Sequence, residues 1–401
     1  VTSSPRLVVA GLAAAAFLPS TVLATAGPGT AGVAPAGRPA AAERVAQSAR
    51  LRVLPQIVQQ GTTRAPAAHA RAAFVTTLKP NVKGRPVALQ VAEGELWRTV
   101  DKGRTNGRGS AEFAAPAARD GTPLTYRVTA QRYQGLGKVR SQPKASPWLT
   151  DTWVDEFSGT SLGDAWGHRG TIYAPKSRRA CSKGDPRATT VADGVARLSV
   201  LPDPDRTDRC TAYIRGRPTG RYAYRINGHI GTMGKFSFSY GFAAARVKMH
   251  SARGQHGGFW MLPQTSVPGE TRPALTGAEV DVVEYFGNRH PEGGLASFTY
   301  SQDSTGGQVK TGGWIKRSRG FLKNRSDGWS KSFHVFSVEW TPQRYIFRID
   351  GKETWRTKVG VSGQPEYLIL SLLSSDYELS HSGDWALPQT MKVDWVRVWE
   401  A

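Results

Sequence analysis

Apolar and polar positions alternate along this chain in short runs separated by glycine, proline, asparagine and aspartate. The first half carries such runs at Ala73–Lys79, Pro86–Ala92, Leu96–Val100, Ala111–Ala114 and Leu124–Ala130. The second half repeats the pattern at Val191–Val200, Ala244–Met249, Glu366–Leu373 and Met391–Trp399. In Lys235–Gly241 the residues Phe236, Phe238 and Tyr240 fall on one face of a predicted strand. Phe333–Trp340 and Arg344–Ile349, joined by Thr341-Pro342-Gln343, read as a hairpin, and Asp350-Gly351 turns the chain again. No long stretch has the 3.6-residue period of an amphipathic helix, so the prediction is an all-β protein.

Composition divides the chain into four parts. Residues 1–26 combine Arg6, the apolar run Leu7–Leu23 and small residues around Ala24–Ala26, the layout of a secretory signal peptide. Pro19 and the small-residue end favour cleavage over a membrane anchor, and no other stretch is apolar enough to span a bilayer. Residues 27–50 are an Ala/Pro/Gly-rich linker without periodicity. Residues 51–147, about a hundred residues of short strands, predict a small β-sandwich that resembles immunoglobulin-like or fibronectin-type modules. Residues 148–401 hold eleven of the twelve tryptophans and are long enough for one large two-sheet core.

Within that last part, Gly277–Gly287 departs from the pattern by placing Glu279, Asp281 and Glu284 among valine, tyrosine and phenylalanine. On a regular strand Glu279 and Asp281 share a face, while Glu284 points the other way and into the core. One extra residue, Val282 or Val283, accommodated as a β-bulge, restores the phase and turns all three acids to one side. Glu279 and Glu284 are then separated by about 13 Å of backbone. Two side chains leaning inward bring their carboxyl groups to about 5–6 Å, the spacing of the nucleophile and acid/base of a retaining glycosidase. Asp281, between them, hydrogen-bonds one glutamate and helps keep a proton on the other. The plainer reading of the same residues is a solvated strand face whose acids keep an edge soluble.

The string Glu279-Val-Asp-Val-Val-Glu284 resembles the E-x-D-x-x-E signature of glycoside hydrolase family 16, whose laminarinase-like members are concanavalin-like jelly rolls. Asp151–Leu162, followed by Trp166, is similar to the opening of that family, and Asp394-Trp-Val-Arg-Val398 to its ending. The resemblance implies a jelly roll with a concave sugar-binding face. It makes Glu279 the nucleophile, Asp281 the assisting acid and Glu284 the acid/base of a double displacement, with no cofactor needed for catalysis. The substrate it implies is a β-linked polysaccharide, most often β-1,3-glucan, and a transglycosylase uses the same acids. A binding-only, lectin-like protein is the alternative from another class.

His256-Gly-Gly-Phe-Trp-Met-Leu-Pro263 resembles the family's W-P-A-F-W segment, which puts Trp260 near the cleft or in the core. The first tryptophan of that segment is His256 here, either a sugar contact or an exposed loop residue, and Trp314, in a glycine-rich loop, is a second candidate platform for a sugar ring. Relatives that carry a histidine on the strand after the catalytic one have it where this chain has Ser297–Ser301. Some members hold a structural calcium at positions matched by Glu156, Gly194 and Asp394, although calcium takes six or more oxygens.

Charge and cysteine content change the picture only slightly. Residues 1–150 contain 20 Lys and Arg against 6 Asp and Glu, a surplus of 14 within the total of +22 that leaves +8 for the rest. A basic exported module suits an anionic cell-wall polymer, and a basic solvated surface gives the same count. No helix-turn-helix or zinc-finger spacing accompanies the charge, so nucleic acid is not expected as a partner. Cys181 and Cys210, the only cysteines, are expected to pair in an exported chain, two free thiols being the alternative.

Overall fold

The computed structural model describes residues 45–66, 69–146, 151–265 and 269–401. The stretches predicted as signal peptide and, up to residue 44, as linker lie outside them. Strand β1 (Ser48–Val53) begins inside the stretch predicted as linker, because Leu51 faces the apolar interior of the first sandwich. It pairs with β2 (Arg71–Lys79), while β3 (Pro86–Glu93) pairs with β4 (Leu96–Arg104). β5 (Ser110–Pro116) joins β2, and β6 (Thr125–Ala130) joins β3. The two small sheets close over Leu51, Phe74, Leu89, Phe113, Tyr126 and Val128.

The remaining strands form a nearly closed two-layer jelly roll. They are β7 (Val195–Pro202), β8 (Arg225–Gly231), β9 (Gly241–Lys248), β10 (His256–Pro263), β11 (Glu279–Tyr285) and β12 (Leu295–Gln302). After them come β13 (Gln308–Trp314), β14 (His334–Thr341), β15 (Arg344–Ile349), β16 (Lys352–Thr357), β17 (Glu366–Leu373) and β18 (Gln389–Glu400). One layer runs β13-β12-β11-β10-β17-β8, and the other β7-β18-β9-β14-β15-β16. β7 pairs with both β8 and β18, so the sheet turns the corner there instead of ending in two open edges. Between the layers lie Val280, Val283, Phe259 and Leu370 from the first and Val338, Trp340, Val396 and Val398 from the second.

Lys235–Tyr240 is not the strand its alternation predicts. Only Phe238 makes a bridge, to Glu366; Phe236 stacks on Trp153 and on Phe238, so the segment is held by ring packing across the sandwich end. The outer face of the second layer is covered by the first sandwich: Leu54, Ile57, Val58 and Ala73 share an apolar cluster with Phe242, Val335, Trp395 and Trp399. Residues 45–401 accordingly form one compact unit. Among the described residues no helix is long and apolar enough to cross a membrane.

Candidate active site

β11 lies between β10 and β12, and on both sides its register slips by one residue. Against β12, Asp281 pairs with Phe298 and Glu284 with Ala296, three steps facing two; against β10, Phe259 meets Val283 while Trp260 meets Asp281. The extra residue is Val282. Its carbonyl accepts a hydrogen bond from the Ser297 hydroxyl at 2.8 Å, which satisfies a backbone group that the bulge takes out of the ladder. Val280, Val282 and Val283 stay buried in the core, while Glu279 and Glu284 are half-buried and face one cleft with the more deeply buried Asp281.

Residues paired across an antiparallel sheet point to the same side, so the register places a row across the cleft floor. His229, Ser371, Gly258, Glu284, Ala296 and Trp314 follow one another on β8, β17, β10, β11, β12 and β13. Gly258, beside Glu284, is closely packed: a Cβ there would lie 3.2 Å from the Trp260 ring and 3.3 Å from the Ser371 hydroxyl, so both would have to shift slightly. A parallel row carries Glu279, Tyr300 and Lys310. Past Glu279 the cleft opens into a hollow of about 630 Å³ bordered by Leu262, Thr276, Tyr300 and Gln308.

The electrostatics follow from three acids sharing this partly dry trough. Burial raises the Glu279 carboxyl above the ordinary range, and the neighbouring Glu284 charge adds to it. Asp281 is pushed well up by burial and then by both glutamates. Glu284 is also raised by burial, with His256 pulling the other way. At neutral pH the three groups therefore hold protons more tightly than solvated carboxyls do, which suits an acid that must deliver a proton.

Two of the three predicted sugar contacts, Trp260 and His256, line the cleft with these acids. Trp260 lines the cleft, donates its indole N–H to Ser371 at 3.0 Å, and stacks on His229. His256 also lines the cleft but is a buried strand residue rather than an exposed loop residue, with Nδ1 2.6 Å from Glu378 Oε2 and Nε2 4.0 Å from Glu284 Oε1. Trp314, at the end of β13, packs on His290 and Phe286. Sequence reasoning missed Arg179, Ser371 and Glu378. Arg179 comes from a loop without strand pattern, and Cys181, paired with Cys210, anchors that loop while its backbone N–H bonds Asp376. The one available signal for Glu378 was an acid shortly after the apolar strand ending at Leu373.

The residues matched to a calcium site do not fit one. Asp394 is paired with Arg246 and accepts the Ala65 N–H, and the Gly194 carbonyl accepts Arg64 Nε at 3.1 Å. Arg64 lies so close over Gly194, whose φ is +68°, that a Cβ there would be 1.9 Å from Nε. Glu156 turns toward Arg397, 3.9 Å away. Two guanidinium groups thus occupy the place where a divalent cation would need open oxygens. Among the described residues no group of three or more His, Cys, Asp or Glu side chains is arranged for a metal.

Comparison with known proteins agrees with this geometry. Residues 212–397 match the family described as Glycosyl hydrolases family 16. Glucan endo-1,3-beta-glucosidase A1 of Niallia circulans is 26% identical over 277 residues, covering 62% of this chain and 37% of that protein. Keratan-sulfate endo-1,4-beta-galactosidase of Sphingobacterium multivorum is 26% identical over 198 residues, covering 47% and 42% respectively. Beta-glucanase of Rhodothermus marinus is 24% identical over 295 residues, covering 66% of this chain and 89% of that one. The chain spans about two fifths of the length of the first two of these relatives. With the bulged acidic strand seated in a jelly-roll cleft, residues 212–397 resemble a glycoside hydrolase family 16 domain.

Proposed function

We propose that the protein is an exported, endo-acting retaining β-glycosidase that cleaves β-1,3-glucan by double displacement. The observation that carries this reading is the one-residue bulge at Val282, which turns Glu279, Asp281 and Glu284 into one cleft. Glu284 protonates the glycosidic oxygen as Glu279 attacks the anomeric carbon; water then releases the glycosyl-enzyme with Glu284 as base. Asp281, pushed well up by burial and then by both glutamate charges, is the assisting acid between the two. Trp260 offers a ring face to the apolar side of a pyranose, and Trp314 extends the floor. The open cleft suits attack within a chain. Export rests on the signal-like residues 1–26, and the surplus of basic residues in 1–150 supports docking on an anionic wall polymer. Residues 51–147 as an immunoglobulin-like module packed on a catalytic domain of residues 148–401 belong to the same proposal.

A second reading, an anionic polymer as substrate, is favoured by two cations beside the acids. Arg179 hydrogen-bonds the Ser375 hydroxyl at 3.2 Å and leaves the rest of its guanidinium exposed in the cleft wall, and Lys310 stands over the Phe298 and Tyr300 rings. The galactosidase relative named for keratan sulfate fits that chemistry. Reducing ends released from laminarin, mixed-linkage glucan, agar and a sulfated galactan separate the readings. Laminarin cleavage abolished by Glu279→Gln, with binding retained, is the expected result. Binding to every polymer without release from any would make the protein lectin-like, and disaccharide transfer to an added acceptor would make it a transglycosylase.

A further inference from the structure

We propose that His256 and Glu378 form a positioning dyad that holds the acid/base Glu284 in place and limits how tightly it retains its proton. The proposal rests on the retaining-glycosidase reading above and adds to it two residues that act through Glu284 without touching the reacting atoms. His256 stands at the head of β10, one strand away from Glu284, and its ring is sealed between Phe286 at 5.3 Å and Tyr377 at 6.5 Å. That packing fixes the ring plane. The 2.6 Å contact to Glu378 makes Nδ1–H the donor, so Nε2 is the edge that faces Glu284 Oε1 at 4.0 Å. Glu378 is itself fixed, because Oε2 also accepts the Ser375 backbone N–H at 3.2 Å, and both side chains are buried. A buried histidine bracketed by two carboxyl groups, one of them catalytic, has the geometry to carry a positive charge.

Burial opposes that charge, yet Glu378 and then Glu284 together lift His256 above the ordinary histidine value. The other groups facing the ring are Arg179 from the cleft wall, whose charge opposes that of His256, and His250 before β10 and His229 on β8, both pushed down by burial first and in part by His256. On Glu284 the balance is reversed. Burial and the Glu378 charge raise it, while His256, Lys310 and Arg179 lower it, with His256 foremost. Without that restraint Glu284 would keep its proton too firmly to give it to a leaving oxygen. With it, the same group can be acid in the first step and base in the second. The proton that moves is that of Glu284, passed to the leaving oxygen and recovered from water; the histidine proton stays on the dyad.

The test is a pair of readouts, one kinetic and one independent of turnover. In His256→Gln the basic limb of the kcat/KM profile on laminarin, which reports loss of the Glu284 proton, should move up by about one pH unit, and Glu378→Gln should move it the same way by less. An unmoved limb in both folded variants overturns the proposal even if their activity falls. Should either variant fail to fold, ¹⁵N-histidine NMR of the wild-type protein decides. The His256 imidazole, told apart from the likewise raised His334 by the signal lost in His256→Gln, should remain doubly protonated above the ordinary histidine value and should lose that proton at lower pH in Glu284→Gln, and a His256 that is neutral at or below that ordinary value overturns the dyad. A wild-type protein that releases no sugar from any polymer would sink the glycosidase reading instead, while the NMR result would still stand or fall separately.

Discussion

Arg246→Met strikes the place where the first sandwich is fastened to the jelly roll. Arg246 and Asp394 are each 1% exposed and paired directly. The same guanidinium donates to the Gln59 carbonyl at 2.7 Å and to Thr63 at 3.0 Å, and lies over the Phe333 ring. Methionine fills the stem but leaves Asp394 buried with Arg64 as its remaining cation, 3.8 Å away and 39% exposed. Breaking a buried pair from one side costs about 3–5 kcal/mol. The two carbonyls left without a donor sit where water can reach them, and add about 1 kcal/mol at most. A loss of roughly 3–6 kcal/mol is therefore expected in urea unfolding followed by tryptophan fluorescence, with an unchanged slope. Replacing the pair together, Arg246→Met with Asp394→Leu, should recover much of it, since the uncompensated charge is gone. Because guanidinium groups fill the would-be metal position, neither chelator nor millimolar calcium should move the wild-type midpoint. A loss under about 1 kcal/mol in Arg246→Met, or a midpoint raised by calcium, refutes the reasoning.

Deleting Val282 should straighten β11, turn Glu284 toward the core and cut turnover at least about 10³-fold while circular dichroism still reports a β protein; normal turnover would remove the bulge from the account. Replacing Cys181 and Cys210 by serine opens a 29-residue separation, and should lower stability by roughly 3 kcal/mol in the same unfolding assay. It should also weaken substrate binding through the Arg179 loop, seen as a raised KM. His334, buried between Asp350 at 2.8 Å and Asp327 at 3.2 Å, is held above the ordinary histidine value by those carboxylates against the opposing effect of burial. Its contribution is therefore complete below about pH 6.5 and is lost as pH rises through the folded value. A midpoint that falls from pH 6 to pH 9 in wild type, and falls less in His334→Gln, is the expected pattern.

Most strand positions were legible because alternation is strong wherever one face is buried: Glu366–Leu373 and Ala244–Met249 lie within or across β17 and β9. The bulge was legible for a sharper reason, since three acids cannot share one face of a strand without it. Lys235–Tyr240 misled because rings that alternate can pack on Trp153 and each other without any ladder. The calcium expectation failed for want of long-range information. Nothing local to Glu156, Gly194 or Asp394 announces that Arg64, 130 residues before Gly194, will occupy the carbonyl. The same limit hid the role of His256, whose partner Glu378 lies 122 residues away, and the cover that Leu54, Ile57 and Val58 place on Trp395 and Trp399.

The central claim is that Glu279 becomes covalently attached to the sugar. Incubation with a 2-deoxy-2-fluoro laminaribiosyl fluoride, followed by peptide mass spectrometry, tests it directly. The account predicts one sugar per chain on the peptide carrying Glu279, and no adduct in Glu279→Gln. Label on Glu284 instead, or laminarin cleaved with inversion and no adduct at all, would contradict it.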